Sequence, residues 1–156
     1  MYKVQKVFML DFVSFFKVSE ILRKCGKDMA EKYGLNHWNN SIIKNIIIVL
    51  LCALRNKVYL VYEKDRAVAT FQLKKIDEKC RLQKLATSPQ NSGKGIGSFC
   101  MNYIEETAKK EGCKKVCLEV YDKSVHAGNF YSHRGYKEVG KTNTLKYTEI
   151  LMEKEI

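Results

Sequence analysis

The sequence predicts an α/β fold in a single domain spanning residues 1–156, and three observations predict it. First, Leu82 to Tyr121 reads as strand, polar turn, amphipathic helix and second strand, a crossover unit whose two strands should run parallel. Second, two alternating apolar segments flank Lys64-Asp65 as a hairpin. Third, the apolar residues between Asp11 and Leu54 recur at helical spacing. A length of 156 residues suits one core and leaves no room for a second catalytic domain.

The elements follow in order. Lys3 to Met9 alternates as a first strand. Asp11 then caps a helix carrying Phe12, Phe15, Phe16, Ser19, Leu22 and Cys25, with a break expected at Gly26 and a continuation through Met29 and Tyr33 to Gly34. The polar loop 34–40 carries the only tryptophan. Trp38 plugs the core edge with His37 incidental, or the loop carries a function; the residues leave both readings open. Ser41 caps a second helix bearing Ile43, Ile46, Ile47, Leu50 and Leu54, although the β-branched run Ile46–Val49 also admits a strand. Val58, Leu60 and Tyr62 begin the hairpin, and Ala67 to Ile76 returns. Cys80 to Thr87 follows through Asp77-Glu78.

The next turn is Pro89-Gln-Asn-Ser-Gly-Lys-Gly-Ile-Gly-Ser98. Amides at a helix N-terminus lack partners within the helix and sit at the positive end of its dipole. Glycines at 93, 95 and 97 let an anion approach the main chain, and a diphosphate is the expected guest. A Walker loop is excluded because Gly95, not a serine or threonine, follows Lys94. The dinucleotide fingerprint is excluded by the Gly-x-Gly-x-Gly spacing and its late position. The helix then shows Ile96, Phe99, Cys100, Tyr103, Ile104 and Ala108 on one face, ends on Lys109, Lys110 and Gly112, and leads into the strand Lys115–Tyr121. A short helix lies within Ser124–Tyr136, a strand follows the Gly135 turn, and Lys146 to Glu153 forms the last strand.

The glycine turn resembles the acetyl-coenzyme A loop of the GNAT superfamily of N-acetyltransferases, Gln/Arg-x-x-Gly-x-Gly/Ala, through Gln90, Gly93 and Gly95. In the register more common among bacterial members, the Gln/Arg falls at Ser92. Ser124–Tyr136 is similar to the second signature of that superfamily, Asn-x-x-Ala-x-x-Phe-Tyr-x-x-x-Gly-Phe/Tyr, through Ala127, Phe130, Tyr131, Gly135 and Tyr136, with Ser124 in place of the asparagine.

The resemblance implies a mixed, mostly antiparallel sheet with a splayed parallel pair and helices on both faces. It implies acetyl-CoA as cosubstrate and an amine-bearing acceptor, with His37 and Trp38 on the wall of the acceptor pocket if the loop 34–40 plays the part that segment has in the superfamily. Main-chain groups of Leu85, Ala86 and Thr87 would meet the pantetheine arm, one N–H polarising the thioester carbonyl. The amides of Ser92, Gly93, Lys94, Gly95, Ile96, Gly97 and Ser98 would take the diphosphate, Ser124 and Asn129 the pantetheine or adenosine side, and Tyr131 would protonate the departing thiolate. For the base, Glu119 has a favourable strand position; Asp77, Glu78, His126 and His133 remain alternatives.

A net charge of +11 steers anions and admits nucleic acid as a partner, but the basic residues form no long block and no nucleic-acid motif is present. The six cysteines are scattered through apolar segments and read as reduced thiols, and neither they nor the three histidines have metal spacing, so no metal is expected. No basic-apolar-small leader pattern opens the chain, and the run Ile42 to Leu54 is too short to span a bilayer, so the expectation is a cytoplasmic protein without a membrane partner. Monomer and homodimer both stay open. A coenzyme-binding regulatory or interaction module without turnover is the competing functional class.

Overall fold

The computed structural model describes residues 1–36 and 40–156, so His37 and Trp38 lie outside the described residues. Strands are β1 (Tyr2–Lys6), β2 (Lys57–Glu63), β3 (Arg66–Ile76), β4 (Lys79–Thr87), β5 (Lys115–Tyr121), β6 (Lys137–Asn143) and β7 (Thr148–Glu155). Helices are α1 (Phe12–Tyr33), α2 (Ile42–Ala53), α3 (Ile96–Lys110) and α4 (Val125–His133), and a 3-10 turn spans Pro89–Asn91. The strands are ordered β1-β2-β3-β4-β5-β7-β6. β1–β2, β2–β3, β5–β7 and β6–β7 pair antiparallel, and β4–β5 pairs parallel, as the crossover between them requires. This is the mixed, mostly antiparallel sheet that the resemblance implied. Among the described residues no helix is long and apolar enough to cross a membrane, and no group of metal-ligating side chains is present.

The chain divides into two compact units, residues 1–74 with 84–103, and residues 75–83 with 104–156. In the first unit, Val58 and Leu60 of β2 belong to a core with Phe15, Val18 and Leu22 of α1 and Val49 of α2. The alternate β2 residue, Tyr59, points the other way and meets Phe71 and Tyr103 of α3, with ring centroids 4.9 and 6.1 Å away. Helices therefore cover both faces of this unit's sheet.

Two sequence expectations change here. β1 ends at Lys6, short of Met9, because the Asp11 amide donates to the Phe8 carbonyl (2.9 Å) and turns the chain into α1. α1 does not break at Gly26; that glycine is buried within one continuous 22-residue helix. The apolar face stays in register across it, and tertiary burial outweighs the roughly 1 kcal/mol that a helical glycine costs. For Ile46–Val49 the helix wins over the strand, capped by the Ser41 hydroxyl accepting from Lys44 N (3.3 Å).

Asp11 caps α1 by accepting from the Ser14 amide (2.9 Å) and hydroxyl (2.6 Å). The Ser14 hydroxyl, then its amide, hold the Asp11 carboxyl below the usual carboxylate range. A depressed carboxyl contributes stability above its unfolded-state pKa and loses it as pH falls through the folded value. Asp11→Ala is expected to cost about 1 kcal/mol at neutral pH, lowering the Tm by roughly 2–4 °C. Thermal melts at successively lower pH should show the gap to wild type closing.

In the second unit, β5 alternates cleanly: Val116, Leu118 and Val120 are buried, while Cys117, Glu119 and Tyr121 look to the opposite face. Cys80, Leu82, Ile104, Ala108, Cys113, Tyr136 and Met152 are buried with them. All six cysteines are free thiols, and burial holds Cys25 and Cys100 protonated by pushing each up to about 12.

Candidate active site

In the first unit β4 delivers the glycine turn. The strand alternates until Lys84, a non-glycine residue with φ of 52°, after which Leu85, Ala86 and Thr87 are all half-buried and the two-residue pattern is lost. The parallel ladder with β5 covers Lys79↔Lys115 to Arg81↔Cys117, although β4 itself continues to Thr87. The Thr87 carbonyl accepts from the Cys25 thiol (3.1 Å), and the Ser88 amide donates to Val68 (2.9 Å), which fixes where the turn begins.

The turn after β4 is closed by its own main chain. The 3-10 turn is closed by Asn91 N donating to Ser88 O (2.8 Å) and Ser92 N to Pro89 O (3.1 Å). The Ser92 amide is thereby engaged within the turn, whereas the notable main-chain geometry begins at Gly93. Gly93 and Gly95 take φ of 77° and 75°, and a Cβ added to either meets nothing within 4 Å. That open space beside exposed main chain is what a bound phosphate needs. The α3 ladder opens with Phe99 N donating to Gly95 O (3.0 Å), leaving the amides of Ile96, Gly97 and Ser98 in its first turn. Lys94 is fixed at both ends: its carbonyl accepts from the Tyr2 hydroxyl (3.2 Å), and its Nζ donates to Asn91 Oδ1 (3.0 Å). A cavity of about 430 Å³ adjoins the turn through Gln90, Asn91 and Lys94, and its wall carries Lys17, Lys24 and Arg66 together with Glu20 and Glu63. The main chain of the turn, open at Gly93 and Gly95 and followed by the first-turn amides of α3, has the donor set that fits a coenzyme diphosphate.

In the second unit α4 carries the second signature. Tyr131 is half-buried; its ring lies 5.1 Å from that of Phe130 and 5.8 Å from that of Tyr136, both edge-on. Its carbonyl accepts from Arg134 N (3.0 Å) and Tyr136 N (3.1 Å), closing the turn at Gly135, where φ is 86°. Glu105 of α3 braces this turn, accepting from the Tyr136 hydroxyl (3.2 Å) and Lys154 Nζ (2.8 Å) and standing 3.7 Å from Arg134 Nη2. Burial, then the charge of Glu105, push the Tyr136 phenol well up, so Tyr136 is a fixed hydrogen-bond donor. Ser124 and Asn129 come together around a cavity of about 240 Å³ whose lining also includes Asp122 and Ser132.

Glu119 forms an ion pair with Arg81. The ladder pairs Glu119 with Leu151 and Tyr121 with Glu149, so Glu149 shares the face of Glu119. Burial and then the charge of Glu119 raise the Glu149 carboxyl, with Arg81 opposing. Tyr147 is raised by the same desolvation and by both carboxylates, and its ring meets Tyr121 edge-on at 5.9 Å. Nothing in the motif spacing pointed to Glu149 or Glu105; each gains its place from pairing across the sheet or from α3. A raised carboxyl is one whose ionised form the fold disfavours, so the penalty is present at neutral pH and vanishes below the unfolded-state pKa. Glu149→Gln should therefore raise the Tm at pH 7.5 by about 1–2 °C, a figure kept small by solvent screening, and the gain should disappear in melts at acid pH.

A family model described as the acetyltransferase (GNAT) family matches residues 18–136. No curated protein matches by sequence. Solved structures do match in fold. The PaiA N-acetyltransferase of Thermoplasma acidophilum in complex with coenzyme A is 20% identical, with a TM-score of 0.75 over 100% of this chain and 99% of that one. The ribosomal-protein-S18-alanine N-acetyltransferase of Escherichia coli is 14% identical, with a TM-score of 0.72 over 100% and 94%. A Bacillus subtilis acetyltransferase in complex with coenzyme A is 13% identical, with a TM-score of 0.70 over 100% and 99%. At these identities the likeness is one of fold, while the family match covers both signatures. The chain belongs to the GNAT acetyltransferase family, whose cosubstrate is acetyl-CoA.

Proposed function

We propose that residues 1–156 act as one cytoplasmic N-acetyltransferase domain that moves acetyl from acetyl-CoA to a primary amine by direct attack in a ternary complex. The observation that carries this reading is the cradle at Gly93 and Gly95, left-handed, solvent-facing and open where a side chain would stand. The amides of Gly93 to Ser98 hold the diphosphate, with Arg66 and Lys94 contributing positive charge beside it. Beyond the left-handed Lys84, the main chain of Leu85, Ala86 and Thr87 supplies hydrogen-bonding groups for the pantetheine arm. Ser124 and Asn129 contact the coenzyme from α4.

Bound acetyl-CoA supplies an activated thioester. Glu119, with Glu149 on the same sheet face, takes the proton that the attacking amine must lose as its N–C bond forms. The Tyr131 hydroxyl gives its proton to sulfur as the C–S bond breaks. No covalent acetyl-enzyme is needed, and the protonated, half-buried or buried Cys25 and Cys100 are poor nucleophiles. The acceptor class spans polyamines, aminoglycoside-like compounds, amino acids and protein amines.

A coenzyme A titration followed by thermal melting tests the binding half. Stabilisation that sets in near the Kd and grows by about 1.4 kcal/mol per tenfold coenzyme above it supports the reading. A protein that instead binds duplex DNA with an affinity falling steeply in salt, and is not stabilised by coenzyme A, belongs to the basic nucleic-acid-binding class.

A further inference from the structure

β1 is the edge strand of the sheet, and none of its five residues is buried. Its register with β2 sets Lys6 opposite Tyr59, Val4 opposite Val61 and Tyr2 opposite Glu63, and directly paired residues share a face. Tyr59 meets Tyr103 of α3 at 6.1 Å, so Tyr2 looks toward the same helix. It meets α3 one turn earlier, its ring 5.2 Å from that of Phe99. Its hydroxyl donates to the Lys94 carbonyl (3.2 Å), a partner 92 positions away in sequence.

That bond fixes the peptide plane entering Gly95. Among the described residues no peptide bond is cis, so the Lys94 C=O and the Gly95 N–H point in opposite directions, and a carbonyl held toward β1 turns the Gly95 amide away from it. Among the described residues that amide has no acceptor within the protein. The plane leaving Gly95 is held as well, its carbonyl accepting from Phe99 N (3.0 Å). Gly95, with φ of 75°, belongs to the residue type of widest backbone freedom, yet the planes on both sides of it are pinned, one by Tyr2 and one by α3. We propose that Tyr2 is a positioning residue for coenzyme binding, which sets the direction of the Gly95 N–H before the diphosphate arrives. The proposal rests on the reading of this turn as the diphosphate site. A donor already aimed does not have to be ordered on binding, so the hydroxyl contributes to affinity without touching the ligand. Stability gains little from it, because the bond is exposed and the ring contact with Phe99 does not need the hydroxyl.

Calorimetric titration of coenzyme A into the wild type, Tyr2→Phe and Val4→Ala, with thermal melts of the free proteins, tests it. Tyr2→Phe keeps the ring and should weaken coenzyme A by about 5–10-fold, the share of one neutral hydrogen bond, while the Tm of the free protein stays within about 2 °C. Val4→Ala, on the same face of the same strand, should do the converse, lowering the Tm and leaving coenzyme A affinity within about twofold. In acetyl transfer, Tyr2→Phe should raise the KM for acetyl-CoA and leave kcat at saturation unchanged. A Tyr2→Phe protein that binds coenzyme A as tightly as the wild type overturns the proposal. So does Val4→Ala weakening it equally, since strand stability rather than the hydroxyl would then be the cause. Both of these outcomes leave the diphosphate site standing; a wild type that binds no coenzyme A overturns the reading of the turn and the role of Tyr2 with it.

Discussion

Tyr131→Phe is expected to lower kcat by about 10²–10⁴-fold while leaving coenzyme A affinity within about twofold. The substitution removes one hydroxyl and keeps the ring that packs edge-on against Phe130 and Tyr136. Binding energy drawn from the glycine turn is untouched, so the loss should fall on turnover. Glu105 continues to brace the α4–β6 turn through Tyr136 and Lys154, so stability should also hold. Parallel measurements of kcat and coenzyme Kd separate the outcomes. Equal turnover in the two proteins would remove Tyr131 from the chemistry, and a matched loss of binding would make it a packing residue.

Gly95→Val should have the largest effect on binding, weakening coenzyme A by about 100-fold or more. Two physical causes act together. A β-branched residue at φ of 75° is strained by about 1–3 kcal/mol, and its methyl groups project into the open space that the diphosphate would take. Gly112→Val is the control, since Gly112 has nearly the same φ of 74° and follows the far end of α3. Both variants should lose comparable stability in a thermal melt, and only Gly95→Val should lose stabilisation by coenzyme A. If Gly112→Val loses it equally, strain rather than the cradle accounts for the effect.

Much of the fold was legible because local chemistry and packing agree. Asp11 and Ser41 stand where helices begin, Gly34 and Gly112 where they end, and alternation marks β5, whereas β2 and β3 are buried on both faces through their middles. The misreadings have physical reasons. Gly26 is punctuation in isolation, but within α1 it is buried by a core that continues on both sides. Lys84 is unreadable from sequence because lysine has no preference for φ above zero; the strand context imposes it. It is nonetheless the residue at which β4 stops alternating.

The candidate site divides in the same way. Glycine spacing announces the turn, since the conformational freedom of Gly93 and Gly95 is a property of the residues themselves. Partnerships are another matter. Ser92 spends its amide on Pro89, Glu119 faces Arg81, and Glu149 reaches the face of Glu119 only through the β5–β7 register. Each depends on residues tens of positions apart or on a turn geometry that spacing does not encode. Tyr131 is announced by its signature, but Glu105, which fixes the turn after it, is not.

Free thiol released from acetyl-CoA in the presence of a panel of primary amines, with the acetylated product weighed by mass spectrometry, tests the central claim most directly. At least one amine should yield one thiol and one N-acetyl product per turnover, at a rate that saturates in both reactants and collapses in Tyr131→Phe. Coenzyme that binds saturably while no amine, small or protein-borne, is ever acetylated would contradict the enzymatic account and leave a coenzyme-binding module.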